Sequence, residues 1–353
     1  MESAIAAHLQ CPRSQPSRVD AAYEPSYPCW TARADPAVGQ VVMGYFGVQS
    51  RGPAAHGIAC RALMQIVAGF AAADGPDHHD LTHYVDAAGY DNMIAIAYWR
   101  SPAAFARWRD SAAVAGWWDD PARLQDGIGY FREVLSPRTE HFETMFNTPD
   151  NPEGIGRVMD GMSTPFREHG YWGSMRERIP LAQTDSLAPA GQLQGRADAA
   201  QPGRIRLAGH TNVAVIRSGQ QWSSTTGRER ELYLQEMEPV LARGMQFLRD
   251  HGRDIGCYSN RYMHHVDASG QRQEKSFGLS FWRSLGDMEQ WAESHPTHVE
   301  IFGTFLRMVQ ALDFQLALSV YHEVSVLRPD EQDYEYINCH PGTGLLPAAT
   351  QHR

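Results

Sequence analysis

Two stretches of this chain repeat each other, and the repeat limits the possible folds more than any other feature. His83-Tyr84-Val85-Asp86-Ala87-Ala88-Gly89 returns 181 residues later as His264-His265-Val266-Asp267-Ala268-Ser269-Gly270. Tyr98-Trp99-Arg100-Ser101, followed by Phe105 and Trp108, returns 183 residues later as Phe281-Trp282-Arg283-Ser284, followed by Met288 and Trp291. Phe131-Arg132-Glu133-Val134 is answered by Tyr321-His322-Glu323-Val324. These matches in one order make a duplicated unit, and duplication decides an architecture before local propensity does.

Each copy predicts the same elements. In the first, 41–49 alternates as a strand, and Ala59, Leu63, Ile66 and Phe70 mark one face of a helix. Residues 79–86 and 92–99 form a hairpin about Ala87-Ala88-Gly89. Ser101-Pro102 caps and opens a second helix, and 127–135 closes as a strand. In the second copy, 211–218 is a strand and 228–250 a helix kinked at Pro239. A hairpin over 257–266 and 276–283, helical pieces over 285–312 and a last strand over 316–327 follow. That order is the ferredoxin-like βαββαβ unit. The expected fold class is therefore α+β, as tandem ferredoxin-like repeats.

Three parts are expected: an N-terminal wrap with the first repeat (1–137), an inter-repeat segment (138–208), and the second repeat with a C-terminal tail (209–353). Residues 1–40 and 328–353 lack a period and are expected to wrap the core. The inter-repeat segment also lacks a period, and a connection that long in a compact protein is usually functional.

A formal net charge of −10 argues against nucleic acid or an anionic membrane surface as partner, since phosphate binding needs a basic face. No apolar run reaches the roughly 18 residues of a membrane helix. The first residues show neither a basic nor an apolar signal region. The five cysteines are scattered without metal or redox spacing, as expected of free thiols in a reducing cytoplasm.

Where the copies differ in chemistry, one half can carry a site that the other lacks. Ala115 in the first corresponds to His298 in the second. His298 heads an apolar stripe of Ile301, Phe302, Phe305 and Val309. It is either a histidine satisfied by a carbonyl or a ring nitrogen offered to a metal or haem in an apolar pocket. Alternation puts His322 on a strand face with Leu316, Leu318, Val320, Val324 and Val326, where an imidazole is costly unless bonded or used. The first copy has Arg132 there. Ser218 ends a strand before Gly219, and Met175-Arg176-Glu177-Arg178 reads as a charged helical turn or a solvated loop. His295 and His298 have a chelating spacing, but Pro296 spoils its geometry and no carboxylate partner is evident, so zinc is discounted. No dinucleotide, phosphate-loop or nucleophile-elbow motif is present.

Longer motifs carry a family resemblance over nearly the whole chain. They include His169-Gly170-Tyr171-Trp172-Gly173-Ser174-Met175-Arg176-Glu177-Arg178, Ile216-Arg217-Ser218-Gly219-Gln220 and Gly256-Cys257-Tyr258-Ser259-Asn260-Arg261. Ser294-His295-Pro296-Thr297-His298, Tyr321-His322-Glu323-Val324-Ser325-Val326 and Tyr336-Ile337-Asn338-Cys339-His340-Pro341 complete the set. With these the chain resembles the haem-containing aldoxime dehydratases, which turn R–CH=N–OH into a nitrile and water. The resemblance implies a dimeric-barrel type of α+β fold, a homodimer, and haem b in the C-terminal half, ferrous in the active state. It implies His298 as axial ligand of the haem iron, His322 as distal acid/base, and Ser218 as hydrogen-bond partner of the oxime hydroxyl. Arg178 and Glu143 would position and tune His322.

The chain departs from the family pattern in three places. Cys29 stands where methionine is expected, Leu306 follows Phe305 where a second phenylalanine is expected, and a short insertion separates His298 from His322. Cys29 and Phe305 are the expected substrate-pocket positions. Competing readings are a haem peroxidase or chlorite-decomposing enzyme on the same scaffold, or a haem carrier or sensor without turnover.

Overall fold

The structure is a computed structural model and describes residues 1–352. In chain order, a short strand β1 (Ala32–Arg33) precedes β2 (Val42–Ser50), α1 (Pro53–Gly69), β3 (His78–Val85) and β4 (Asp91–Trp99). Helices α2 (Pro102–Asp110) and α3 (Ala112–Trp118) and strand β5 (Gly129–Leu135) complete the first copy. The connecting segment holds β6 (Phe142–Phe146), β7 (Gly161–Met162), α4 (Ser174–Arg178), β8 (Gln194–Ala197) and β9 (Arg204–Ala208). The second copy has β10 (Val213–Gln221), α5 (Gly227–Leu232), α6 (Glu238–His251), β11 (Cys257–Val266), β12 (Arg272–Trp282), α7 (Leu285–Ser294), α8 (Pro296–Ala311) and β13 (Ser319–Leu327). Two strands follow it, β14 (Gln332–Ile337) and β15 (Thr350–His352).

Local signals explain the helix boundaries. The Ser101 side chain accepts from the Ala104 amide, capping α2, and Pro102 opens it. The long helix expected across Pro239 is interrupted one turn earlier, by a π-helical turn over Tyr233–Met237. Pro239 has no amide hydrogen to return to the preceding turn, and the chain widens just before it.

Thirteen strands form one sheet in the order β15-β8-β9-β14-β5-β2-β4-β3-β11-β12-β10-β13-β6, and β1 pairs with β7 apart from it. Numbered within its own copy, each set of four runs fourth-first-third-second, and the two sets meet along β3 and β11. At that seam His83 faces His264, its counterpart in the repeat, with Thr82 facing His265 and Leu81 facing Val266. Except for the parallel β15–β8 pair, the sheet is antiparallel.

The sheet curls on itself. Tyr45, Ile96 and Phe131 from the first copy share one buried core with Val215, Phe277 and Phe281 from the second. Two further cores lie on the outer faces, under α1–α3 in the first copy and under α5–α8 in the second.

Two expectations need correction. The C-terminal tail does more than wrap the core, and β13 is not the last strand. β6 extends the second set beyond β13, while β14 lies between β5 and β9 and extends the first. Their partners are remote in sequence, and strand pairing of that kind leaves no local period to read.

Candidate functional site

The outer face of the second set carries the polar group. Leu318 just before β13, and Val324 and Val326 within it, are buried in the outer core and Val320 packs against it, so His322 interrupts an aliphatic face as its alternation requires. Across the ladder Ser218 is paired with His322 on one side and with Gly278 on the other. Directly paired side chains in an antiparallel ladder stand within about 4.5–5.5 Å at Cβ, so Ser218 and His322 form one bipartite surface. Ser218 is exposed although Arg217 and Gly219 beside it are buried, which marks open space above this part of the sheet.

Glu143 and Arg178 arrive from the connecting segment. Pairing of β6 with β13 sets Met145 opposite His322 and Glu143 opposite Val324, one step along the same face. Arg178 ends α4, which begins after Gly173 at φ 85, a left-handed conformation that glycine adopts without penalty. The guanidinium grips Glu143 with two hydrogen bonds, Nε to Oε2 at 2.7 Å and Nη2 to Oε1 at 3.0 Å. Its Nη1 donates to the Glu168 carbonyl and the Ser174 hydroxyl. His322 Nε2 lies 2.8 Å from Arg178 Nη2 and 2.9 Å from Glu143 Oε1.

Burial pushes the Glu143 carboxyl up, but Arg178 and His322 outweigh it and hold the group at about 2. Glu143 is therefore an anion at neutral pH, and Arg178 is its counter-ion. The solvated reading of the Met175–Arg178 turn is overturned. Glu177 and Arg178 are both buried, because Arg178 has a carboxylate waiting inside and Glu177 takes hydrogen bonds from Ser17, Tyr171 and the Arg18 amide. Sequence period is silent on such a turn, since its partners come from elsewhere.

His298 occupies the first turn of α8. Its Nδ1 donates to the Ala292 carbonyl at 2.7 Å, which leaves Nε2 with a lone pair. Burial pushes this ring below the usual histidine range, and the carbonyl bond only partly offsets it. His298 is thus a neutral imidazole with a fixed tautomer. Trp291 and Trp172 flank it, with ring centroids at 4.7 and 5.8 Å. Trp172, Val299 and Phe302 remain 38%, 47% and 39% exposed, an apolar wall that the described residues leave open.

Two of these contributors were not singled out from the sequence. The Ala292 carbonyl carries no sequence signal at all. Trp172 was visible only inside the motif that ends at Arg178.

Phe305 lies two turns along α8 and packs against the outer core. Cys29 is buried with Ala4 and Phe166, and Met145, the partner of His322 across β6, packs on that cluster. Burial raises the Cys29 thiol to about 12, so it is an apolar wall and not a nucleophile.

A family model for haem-containing dehydratases matches residues 44–345. The chain belongs to this family. The haem-containing dehydratases carry haem, and that is the cofactor here. An aliphatic aldoxime dehydratase of Rhodococcus globerulus is 51% identical over 347 residues, 98% of either chain. A phenylacetaldoxime dehydratase from a Bacillus strain is 34% identical and covers 92% of both. A crystal structure of an aldoxime dehydratase in complex with butyraldoxime superposes with a TM-score of 0.96 at 49% identity, over 100% of this chain and 98% of that one.

Proposed function

We infer that this haem-containing dehydratase converts aldoximes to nitriles and water, with His298 holding the iron and His322 and Ser218 handling the oxime. The observation that carries the reading is the in-register pairing of Ser218 with His322, backed by the buried Arg178–Glu143 ion pair.

The residues suit the cofactor. The Nε2 lone pair of His298 is a soft nitrogen donor, its tautomer fixed by Ala292 as axial histidines require. The uncovered wall of Trp172, Val299 and Phe302 offers an apolar bed for a porphyrin face. His298 would hold the haem iron, and the haem, if ferrous, would supply a nitrogen-binding centre with electron density to lend to the N–O bond.

The remaining work belongs to the chain. The Ser218 hydroxyl hydrogen-bonds the oxime hydroxyl and fixes its direction. Nε2 of His322 is engaged by Arg178 and Glu143, so Nδ1 is the nitrogen left to trade a proton with substrate. His322 gives that proton to the departing hydroxyl, which leaves as water, and then recovers one from the C–H carbon as the nitrile forms. The proton balance closes on one imidazole and no redox equivalents are consumed. Help of this kind is worth ~10² to 10⁴ in rate.

The peroxidase and chlorite readings need a distal arginine free to pull on an oxygen leaving group. Arg178 is committed to Glu143, Glu168 and Ser174, which favours the oxime reading. The strand order within each set supports tandem ferredoxin-like halves joined edge to edge. A cytoplasmic homodimer is part of the same proposal, and light scattering in solution tests the dimer.

Haem-loaded protein reduced with dithionite under anaerobic conditions should turn aliphatic and aryl aldoximes into nitriles over many turnovers without added electrons. Haem binding with no nitrile would leave a carrier or sensor, and equal activity of the ferric form would remove the ferrous step.

A further inference from the structure

The repeat relates the site to a second place in the molecule. Ser218 lies between Gly278 and His322 across the second set, and Phe46 lies between Ala95 and Arg132 in the first, at the same steps of the same ladders. Ala115 on α3 stands where α8 carries His298. Phe46, Ala115 and Arg132 all line one cavity of about 490 Å³, within the range of small-molecule sites. Its other walls are largely apolar, with Ile66, Trp108 and Trp118.

Hydrogen bonding at the polar end of this cavity is uneven. Register places Arg132 of β5, Glu335 of β14 and Arg206 of β9 in one row. The buried Glu335 carboxylate is already engaged by Arg206 Nε at 2.8 Å, by Arg204 Nη1 at 3.1 Å and by the Trp118 indole. Arg132 comes no nearer to it than 3.4 Å. Among the described residues the Arg132 side chain makes no hydrogen bond, and its buried Nε lacks a partner. Its guanidinium carbon stands 5.4 Å from the Trp118 ring centre.

Three guanidinium groups thus surround one buried carboxylate. The other acids nearby stand farther off: half-buried Asp333 is 4.0 Å from Arg132 and exposed Asp119 is 3.6 Å from Arg204. On the rim Arg109 and Asp110 neutralise each other.

We propose that this cavity is a second small-molecule site, separate from the haem, that binds a monocarboxylate with an apolar tail. The carboxylate meets the unused donor fork of Arg132, the geometry that guanidinium groups favour. The tail lies against the aromatic wall.

Calorimetric titration of the haem-loaded protein with hexanoate, and with hexanamide as the uncharged counterpart, tests the proposal. Hexanoate should bind saturably with the Soret band unchanged, and hexanamide at least tenfold more weakly. Arg132→Met should weaken hexanoate at least tenfold and leave hexanamide where it was. Ala115→Trp, which fills the cavity from its rim, should abolish binding of both, and it remains decisive if Arg132→Met fails to fold. Both variants should keep nitrile formation. Equal binding of acid and amide, a Soret shift that tracks hexanoate, unchanged binding in Arg132→Met, or no binding at all would each overturn the proposal. So would concentration-dependent self-association that Ala115→Trp removes without any hexanoate binding, which would give this face to a second copy of the chain.

Discussion

The two halves share a ladder and diverge in what stands on it. At the step where the second half has exposed Ser218, the first has Phe46, 4% exposed and packed edge-on against Phe70, Trp99, Trp108 and Trp118. One half leaves Ser218 open above its sheet, beside a histidine and an ion pair. The other puts a packed aromatic ring at that step, and its cavity lies alongside among aromatic walls. The backbone therefore sets where a site can be, and a few side chains set whether it is one. A pocket of this kind leaves apolar surface uncovered, and the aromatic half is the natural place for the fold to recover that stability.

The sharpest way to break the contrast is His298→Ala. It should fold, as judged by circular dichroism, and lose the Soret band of the haem-loaded parent. An unchanged Soret band would end its assignment as axial ligand. Phe46→Ala probes the opposite half and should cost about 3–5 kcal/mol of stability, the range for buried aromatics. Haem-loaded Phe46→Ala enzyme that stays folded should retain its activity, and denaturant melts beside single-turnover rates check both statements.

Glu143 makes the polar group of the second half sensitive to pH. It titrates lower in the folded chain than the ordinary 4.5, so its stabilisation is complete above that value and is lost as pH falls toward about 2. The contribution is on the order of 3 kcal/mol. Melting temperatures taken from about pH 6 down to pH 3 should fall less steeply in Glu143→Gln than in the parent. Equal slopes would mean that another carboxylate governs acid stability.

His322→Ala should keep haem and aldoxime binding, seen in the visible spectrum, while nitrile formation drops by ~10² or more. Full activity there would remove the acid/base role. Ser218→Ala should have the smallest effect, about tenfold or less in kcat/KM, as expected for one hydrogen bond.

Much of this was legible in the sequence for a physical reason. Repeated hairpins and helix stripes are local, so the Asp86 and Asp267 turns, the Ser101 cap and both four-strand sets follow from spacing alone. The imidazole of His322 on an aliphatic face was equally plain, because alternation is a two-residue rule. Its role was not, since Glu143 and Arg178 reach it from 179 and 144 residues away. The resemblance to haem-containing aldoxime dehydratases supplied those partners where spacing could not. Nothing in the sequence pointed to the Ala292 carbonyl, and β14 was read as tail because its partners, β5 and β9, lie far upstream.

The strands added at the two ends of the sheet have a consequence for how the chain can be divided. β6 follows the first copy yet closes the far side of the second, and β14 follows the second yet extends the far side of the first. The copies are clasped, each finishing the other's border. A fragment beginning at residue 209 would hold His298, Ser218 and His322 but lack Glu143 and Arg178. Its β13 would become an unpaired edge, the kind of border that recruits other chains into aggregates. Cutting between the repeats therefore exposes the strand of His322 itself, and the second half is an inseparable part of the whole.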